Sequence, residues 1–306
     1  MKQIQTNFSD YKAILEAERV SIHHMVQHFK KKDIDFDEYG NIFIGFNEKT
    51  AGLPILVAHT DNVLHGKREP IFDLNKRQLF GKSAGIGFDD KAGIIAIMQL
   101  WKTFKKKQMF RIIFTADEEV GGVGAQEIDP DIYADAAWIL ELDRKGDKDL
   151  IQTSGTVKLC SDEFASKFEE LGFKKAQGTF TDVNIFKQNF YDVNMANLSI
   201  GYYNPHSDQE YLDTKAFDEI VNKVAQFIDA QYVFEPDVYV EPSWKNSTGN
   251  MSPRWDWNDG KDDWDYCWYC GEMTKNKEDE NGRTFCGSKC KQNYEDVMKE
   301  NNNGKL

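Results

Sequence analysis

Short, mostly apolar runs alternate along the chain with stretches of helical period. Residues 53–58 form a continuous apolar run, the mark of a strand buried on both faces in a mainly parallel sheet. Residues 109–115, 136–142 and 196–201 repeat the pattern, and helices are predicted at 94–107, 162–171 and 214–231. Ahead of them, apolar positions at Ile14, Leu15, Val20, Ile22, Met25, Val26 and Phe29 predict one amphipathic helix over 11–32, and Gly40-Asn41 between alternating runs predicts a hairpin over 34–46. Strands alternating with helices imply an α/β fold, a mixed, mainly parallel twisted sheet with helices on both faces. Beyond residue 233 the periodicity stops, which divides the chain into a catalytic-sized unit at 1–234, a connector at 235–265 carrying Trp244, Trp255, Trp257 and Trp264, and a small module at 266–306.

The predicted strands end in a particular kind of residue. Residues 53–58 lead into His59-Thr60-Asp61, 109–115 into Asp117-Glu118-Glu119, 136–142 into Asp143-Arg144, and 196–201 through Tyr202 and Tyr203 to His206. Open α/β sheets bind their ligands at the carboxyl ends of strands. A glycine-loosened loop, Gly85-Ile86-Gly87-Phe88-Asp89-Asp90, lies between the first two strands. Two histidines, three ligand carboxylates and a spare glutamate make up the inventory of a two-metal hydrolytic site, with zinc the expected ion and cobalt or manganese as substitutes. Asp89 is assigned to the bridge, His59 and Asp143 to one ion, Glu119 and His206 to the other. Glu118 is left as the general base, and Asp61 as the partner of the second imidazole nitrogen of His59.

The His-Thr-Asp after a strand, Gly-Phe-Asp-Asp-Lys-Ala-Gly, Asp-Glu-Glu-Val-Gly, Glu-Leu-Asp-Arg and Asn-Pro-His-Ser occur in that order over about residues 50–230. This set resembles the co-catalytic dizinc exopeptidases, with wording similar to the peptidase T family. The resemblance implies the ligand set above, Glu118 as base, Asp61 behind His59, and a cis peptide between Asp89 and Asp90. The spacing departs from that family in two intervals. Residues 144–205 leave room for two strands, a helix and loops rather than an inserted lid domain, and the interval from His59 to Asp89 is too short for the inserted domain of the large oligomeric aminopeptidases. The expected architecture is that of the compact, single-domain leucyl aminopeptidases.

Composition narrows the function further. The 306 residues carry a formal charge of −13, which argues against a nucleic-acid or anionic-membrane binder. No apolar segment reaches the length of a membrane span and the polar Met1 to Thr6 shows no leader, so the expected location is the cytoplasm. Cys160 is expected to be a buried small side chain. Cys267, Cys270, Cys286 and Cys290 pair closely enough to hold one structural zinc, with Asn281-Gly282 as a turn between the pairs. Acids around these cysteines favour a protein partner over DNA.

His23, His24 and His28 are expected on a helix face without metal, Lys91 in an ion pair with the metal carboxylates, Thr181 as a helix cap or a cleft residue, and Tyr202 and Tyr203 as pocket or packing aromatics. The expected activity is aminopeptidase cleavage of short peptides. An amidase or deacylase acting on N-acyl amino acids, which needs a cation such as Lys91 or Arg144 for the substrate carboxylate, remains open, as does a silent adaptor working through the cysteine module. Oligomeric state is left open.

Overall fold

The protein is described here by a computed structural model covering residues 3–64, 68–104, 106–190, 192–235, 265–276 and 283–302. The chain opens with two short helices, α1 (Lys12–Glu16) and α2 (Ile22–His28), in place of the single predicted helix. The break has a physical cause. Ala17 is extended (φ −64°, ψ 143°), Ser21 starts α2 in a capping box with His24, and the residues between spend their polar groups on other parts of the molecule. Val20 N–H donates to Thr60 O at 3.0 Å and the Ala17 carbonyl accepts from Lys91 Nζ at 2.5 Å.

Strands β1 (Ile34–Phe36) and β2 (Ile42–Ile44) form the predicted hairpin, with Gly40 at φ +89° in its turn. Then follow β3 (Ile55–His59), the hairpin β4 (Pro70–Asp73) and β5 (Gln78–Gly81), α3 (Phe88–Phe104), β6 (Arg111–Thr115), α4 (Val123–Glu127) and β7 (Ile139–Arg144). Next come β8 (Asp149–Ser154), β9 (Val157–Lys158), α5 (Asp162–Glu170), β10 (Lys174–Gly178), α6 (Asp182–Asn189) and β11 (Met195–Ser199). The segment between Asp143 and His206 therefore holds two helices, where one was expected. The unit closes with β12 (Tyr202–Tyr203), β13 (Tyr211–Asp213) and α7 (Thr214–Ala230).

The main sheet runs β1-β2-β6-β3-β7-β11-β8-β10, with β9 beside β8. Its centre, β6-β3-β7-β11, is parallel throughout, as the unbroken apolar runs require. Period-two alternation divides the strand side chains between two cores. Leu56 and Ala58 join the apolar faces of α3, α5 and α7, while Ile55 and Val57 join Ala125 of α4 and Val183 and Phe186 of α6. Both faces are covered, so a one-residue slip of β3 would exchange the two sets and bury neither correctly. A second sheet, β12-β13-β5-β4, stands apart. Its strands are two to four residues long with mixed polarity, so they leave no periodic trace in the sequence.

The C-terminal module consists of β14 (Asp265–Tyr266), β15 (Met273–Thr274) and α8 (Ser288–Asn302). It shares a core with the main unit: Cys267, Phe285, Tyr294 and Val297 belong to the same apolar cluster as α1, α2 and β1, and the Tyr294 ring lies 5.0 Å from that of Phe36. The connector tryptophans at 244, 255, 257 and 264 and the Asn281-Gly282 turn lie outside the described residues. Among the described residues no helix is long and apolar enough to cross a membrane.

Candidate metal centre

The carboxyl ends of β3, β6 and β7, the start of α3 and the loop after β12 meet at one edge of the main sheet. His59 ends β3 and is almost wholly buried. Its Nδ1 lies 3.1 Å from the carbonyl oxygen of Asp61, an atom that can only accept, so Nδ1 carries the proton and Nε2 turns its lone pair to the site. That Nε2 stands 3.1 Å from Asp89 Oδ1 and 3.5 Å from Asp143 Oδ1. On the far side of Asp89, His206 Nε2 lies 3.2 Å from Oδ2 and 3.0 Å from Glu119 Oε1. The two oxygens of Asp89 thus face different imidazoles, each paired with its own second carboxylate.

Donor chemistry tests whether cations fit. Ligand bonds of about 2.1 Å in a tetrahedral shell place neighbouring donor atoms about 3.4 Å apart, and the four nitrogen–oxygen separations above run from 3.0 to 3.5 Å. A nitrogen lone pair turned toward two carboxylate oxygens is repulsive unless a proton or a metal stands between them. The carboxyl groups carry the same strain. Burial, then the charge of Asp89, pushes the Asp143 carboxyl up. Glu118 is pushed up to about 9 by burial and by Asp182, Glu141 and Glu119, against the opposing pull of His59. His206 is raised to about 10 by its hydrogen bonds to Asp89 and Glu119. Without cations the cluster can lower its charge only by keeping protons, and divalent cations relieve it directly.

Asp61 does more than face His59. Burial pushes its carboxyl up, but His59, Arg19 and the Glu118 N–H outweigh this and bring it to about 2. The ionised group accepts from the backbone N–H of Glu118 and of Glu119, both at 3.1 Å, and so fixes the loop that presents them. The Asp89–Asp90 peptide is cis, as the resemblance implied. Asp90 is buried beside His59 and Asp143, and its oxygens accept from Gly93 N–H at 2.9 Å and His59 N–H at 3.3 Å, holding α3 against β3.

Several supports were not foreseen. Glu210 accepts from Gly87 N–H at 2.6 Å and Asp89 N–H at 3.4 Å, which sets the loop that carries Asp89. Asn197 accepts from Asp143 N–H at 3.1 Å, and the Tyr202 hydroxyl donates to Asp143 O at 2.8 Å. Asp182 and Glu141 are buried behind Glu118 and accept from the hydroxyls of Thr115 and Thr181. Thr181 therefore makes no side-chain cap on α6, although it stands at the capping position. Its signal in the sequence was that of a cap because the partner, Glu141, lies forty residues away in the chain.

Lys91 is the clearest correction. Its Nζ is fully buried and donates to the carbonyls of Leu15, Ala17 and Ile86, at 3.3, 2.5 and 2.7 Å, instead of pairing with the metal carboxylates. Arg144 Nε faces Asp149 at 3.5 Å, and the Tyr203 ring stacks on Tyr211. His24 is buried inside α2, His28 stacks on Tyr11, and His23 packs on Tyr269, so this helix-face trio stands apart from the cluster around Asp89.

In the C-terminal module the sulfurs of Cys267, Cys270, Cys286 and Cys290 all lie within 4.8 Å of one another, with Cys270–Cys286 at 3.6 Å and Cys286–Cys290 at 3.4 Å. A tetrahedral zinc with bonds of about 2.3 Å sets sulfur–sulfur edges of about 3.8 Å. The hydrogen bond from Cys270 pulls the Cys267 thiol down to about 4, while that same bond pushes Cys270 up, as expected of thiols crowded into one site. Cys160 is buried, as expected.

Residues 4–156 match the family described as M42 glutamyl aminopeptidase, a span that takes in His59, Asp61, Asp89, Glu118, Glu119 and Asp143 and stops short of His206 and the cysteines. No curated protein matches the chain. Among solved structures it is similar to a tripeptidase from Staphylococcus aureus (12% identity, TM-score 0.56, covering 71% of this chain and 95% of that one). It is also similar to aminopeptidase PepT from Bacillus cereus (12%, 0.57, 72% and 96%) and to a TET aminopeptidase from a marine-sediment Thaumarchaeota archaeon (14%, 0.58, 73% and 97%). At these identities the likeness concerns the fold. Each neighbour is spanned almost completely while over a quarter of this chain is left over.

Proposed function

The chain belongs to the M42 glutamyl aminopeptidase family and is a metal-dependent aminopeptidase, a hydrolase of peptide bonds, and from that premise we propose that it removes the N-terminal residue of short peptides with Glu118 as general base beside two cations bridged by Asp89. The observation that carries this reading is the split of the Asp89 oxygens between His59 and His206. His59 and Asp143 would hold one cation and Glu119 and His206 the other, zinc being the preferred ion with cobalt or manganese as substitutes. Bound there, the pair supplies Lewis-acid polarisation of the scissile carbonyl and a lowered pKa for water.

The protein's own groups do the rest. Glu118 takes the proton of the attacking water and delivers it to the leaving amine nitrogen. The dry, acidic surroundings that push Glu118 up to about 9 make it a strong proton acceptor, and positive charge brought into the cluster moves it down toward working pH. Asp61 holds both the His59 ring and the two amides of the Glu118–Glu119 loop. The free α-amino group of a peptide is the natural occupant beside such a set of carboxylates. A deacylase needs a cation for the substrate carboxylate, and of the two nearest in sequence Lys91 is engaged by three carbonyls, while Arg144 lies beside Asp149 with its Nε 3.5 Å away.

The family match favours the M42 lineage over the compact leucyl type as the source of this architecture. The short β4–β5 hairpin in the His59 to Asp89 interval supports a catalytic unit at 1–234 without a large inserted domain there. The connector at 235–265 and the module at 266–306 complete the proposed division, with one structural zinc on the four cysteines, a protein partner for the module and a cytoplasmic location. Assay of the zinc-loaded protein on aminoacyl nitroanilides and di- and tripeptides beside N-acyl amino acids tests the proposal. Turnover of the free-amine substrates is expected, and turnover of the blocked ones alone would overturn it.

A further inference from the structure

The break between α1 and α2 lies between the cysteine module and the catalytic loop. From the module side, the Tyr269 carbonyl accepts from His23 N–H and from the Ser21 hydroxyl, both at 2.9 Å. Gly271 comes so close that a Cβ on it would sit 2.3 Å from the Arg19 carbonyl oxygen. The Tyr266 ring centroid lies 5.7 Å from the Arg19 guanidinium carbon. From the site side, Arg19 Nη1 lies 2.8 Å from Asp117 Oδ1, with the arginine side chain 20% exposed. A cavity of about 130 Å³ separates the two bodies beside this contact, with Arg19, Thr60, Asp117, Tyr266 and Gly271 in its wall.

Asp117 is the residue just before Glu118, and its φ is +58°. That left-handed conformation is uncommon for a residue with a Cβ, aspartate tolerating it better than most, and its neighbours help to hold it. Two anchors are on hand. Asp61 takes the amides that follow, and Arg19 takes the Asp117 carboxylate itself. A guanidinium is suited to the second task because its plane can lie against an aromatic ring while its edge binds a carboxylate. Tyr266 supplies the ring, and it lies beyond the residues that the family match covers.

We propose that Arg19, backed by Tyr266 of the cysteine module, is a positioning residue that holds Asp117 and with it the Glu118–Glu119 loop, so that the module acts on the reaction through this one cation. The proposal rests on the reading of Glu118 as base and Glu119 as ligand. A small misplacement of a base is costly for turnover and nearly silent for binding, so the effect belongs in kcat.

The test uses the full-length, zinc-loaded protein and the variants Tyr266→Ala, Tyr266→Phe, Arg19→Lys and Glu118→Gln. Tyr266→Ala is expected to lower kcat roughly tenfold while KM and metal content stay within about twofold of the parent. Tyr266→Phe, which keeps the ring face, restores kcat. Arg19→Lys, which keeps the charge and loses the plane, behaves as Tyr266→Ala does, and joining the two adds little to either alone. Hydrogen exchange followed by mass spectrometry gives a readout apart from turnover: the segment 115–122 exchanges faster in Tyr266→Ala and at the parental rate in Tyr266→Phe. Unchanged kcat and exchange in Tyr266→Ala, or Tyr266→Phe as impaired as Tyr266→Ala, would overturn the proposal. Should Tyr266→Ala fail to fold, Arg19→Lys decides alone, and parental kcat and exchange there are the contrary result. Glu118→Gln separates the two layers. If it turns over normally, the assignment of the base falls; if it is inactive while Tyr266→Ala is normal, only the role of Arg19 and Tyr266 falls.

Discussion

A carboxyl group packed against Asp182, Glu141 and Glu119 holds its proton tightly, and Glu118, at about 9 without cations, becomes a working base only when positive charge stands nearby. Two predictions follow from this at the scale of the residue. Replacing the carboxylate by an amide in Glu118→Gln should lower kcat by about 10²- to 10⁴-fold while leaving the bound metal in place, as steady-state kinetics with elemental analysis of the same sample will show. Cation binding should also release protons. At neutral pH both Glu118 and His206, the latter raised to about 10, are protonated in the cation-free cluster, so affinity climbs with pH toward those values. Titration calorimetry in buffers of different ionisation heat measures the proton count; no release would contradict the charge balance described here. His59 and Asp143 stand out in the sequence as ligand-type side chains closing apolar runs, and Asp89 as an acid in a glycine-loosened loop; the fold brings the three together. Glu210, Asn197 and Tyr202 could not, since each acts on a backbone atom or ligand brought near only by folding, in the case of Glu210 and Gly87 across 123 positions.

The parallel centre of the sheet and helices α3, α5 and α7 are legible as elements, because burial on both faces leaves continuous apolar runs and burial on one face leaves a 3.6-residue period. The helical period predicts one N-terminal helix where the chain forms two. Its apolar positions keep helical spacing across Ala17 to Ser21, but those residues are recruited by Lys91, Thr60 and Asp117, and tertiary hydrogen bonds outweigh local propensity. The restarted helix α2 yields a prediction of its own. His24 is buried with Nδ1 accepting from Ser21 N–H, and burial, then the neighbouring His23 and Lys91, lowers its pKa from 6.5 to about 3. The unfolded chain therefore binds more protons than the folded one between those values, so stability is intact above about pH 6.5 and falls as pH drops through the window. Thermal unfolding at pH 7.5 and pH 5 should show a smaller acid loss in His24→Gln than in the parent.

At the scale of the whole molecule, the C-terminal residues around the four cysteines pack into the main apolar core through Phe285, Tyr294 and Val297, and the sequence shows the four cysteines without showing where they dock. A tail that merely hung from the chain could lose its metal without consequence for the rest. Here, removing one thiol in Cys286→Ser should cost one zinc per chain and lower the melting temperature of the entire protein, as scanning calorimetry will register. The same substitution should loosen the contact of Gly271 and Tyr266 with Arg19.

The proposed site requires a pair of cations about the Asp89 carboxylate. Anomalous diffraction from crystals of the zinc-loaded protein, collected on either side of the zinc edge, locates them directly. Two peaks are expected flanking Asp89, one against His59 and Asp143 and one against Glu119 and His206, with a third among the four cysteine sulfurs. A single peak at Asp89, or none there with His59 and His206 turned to other partners, would contradict the proposed site.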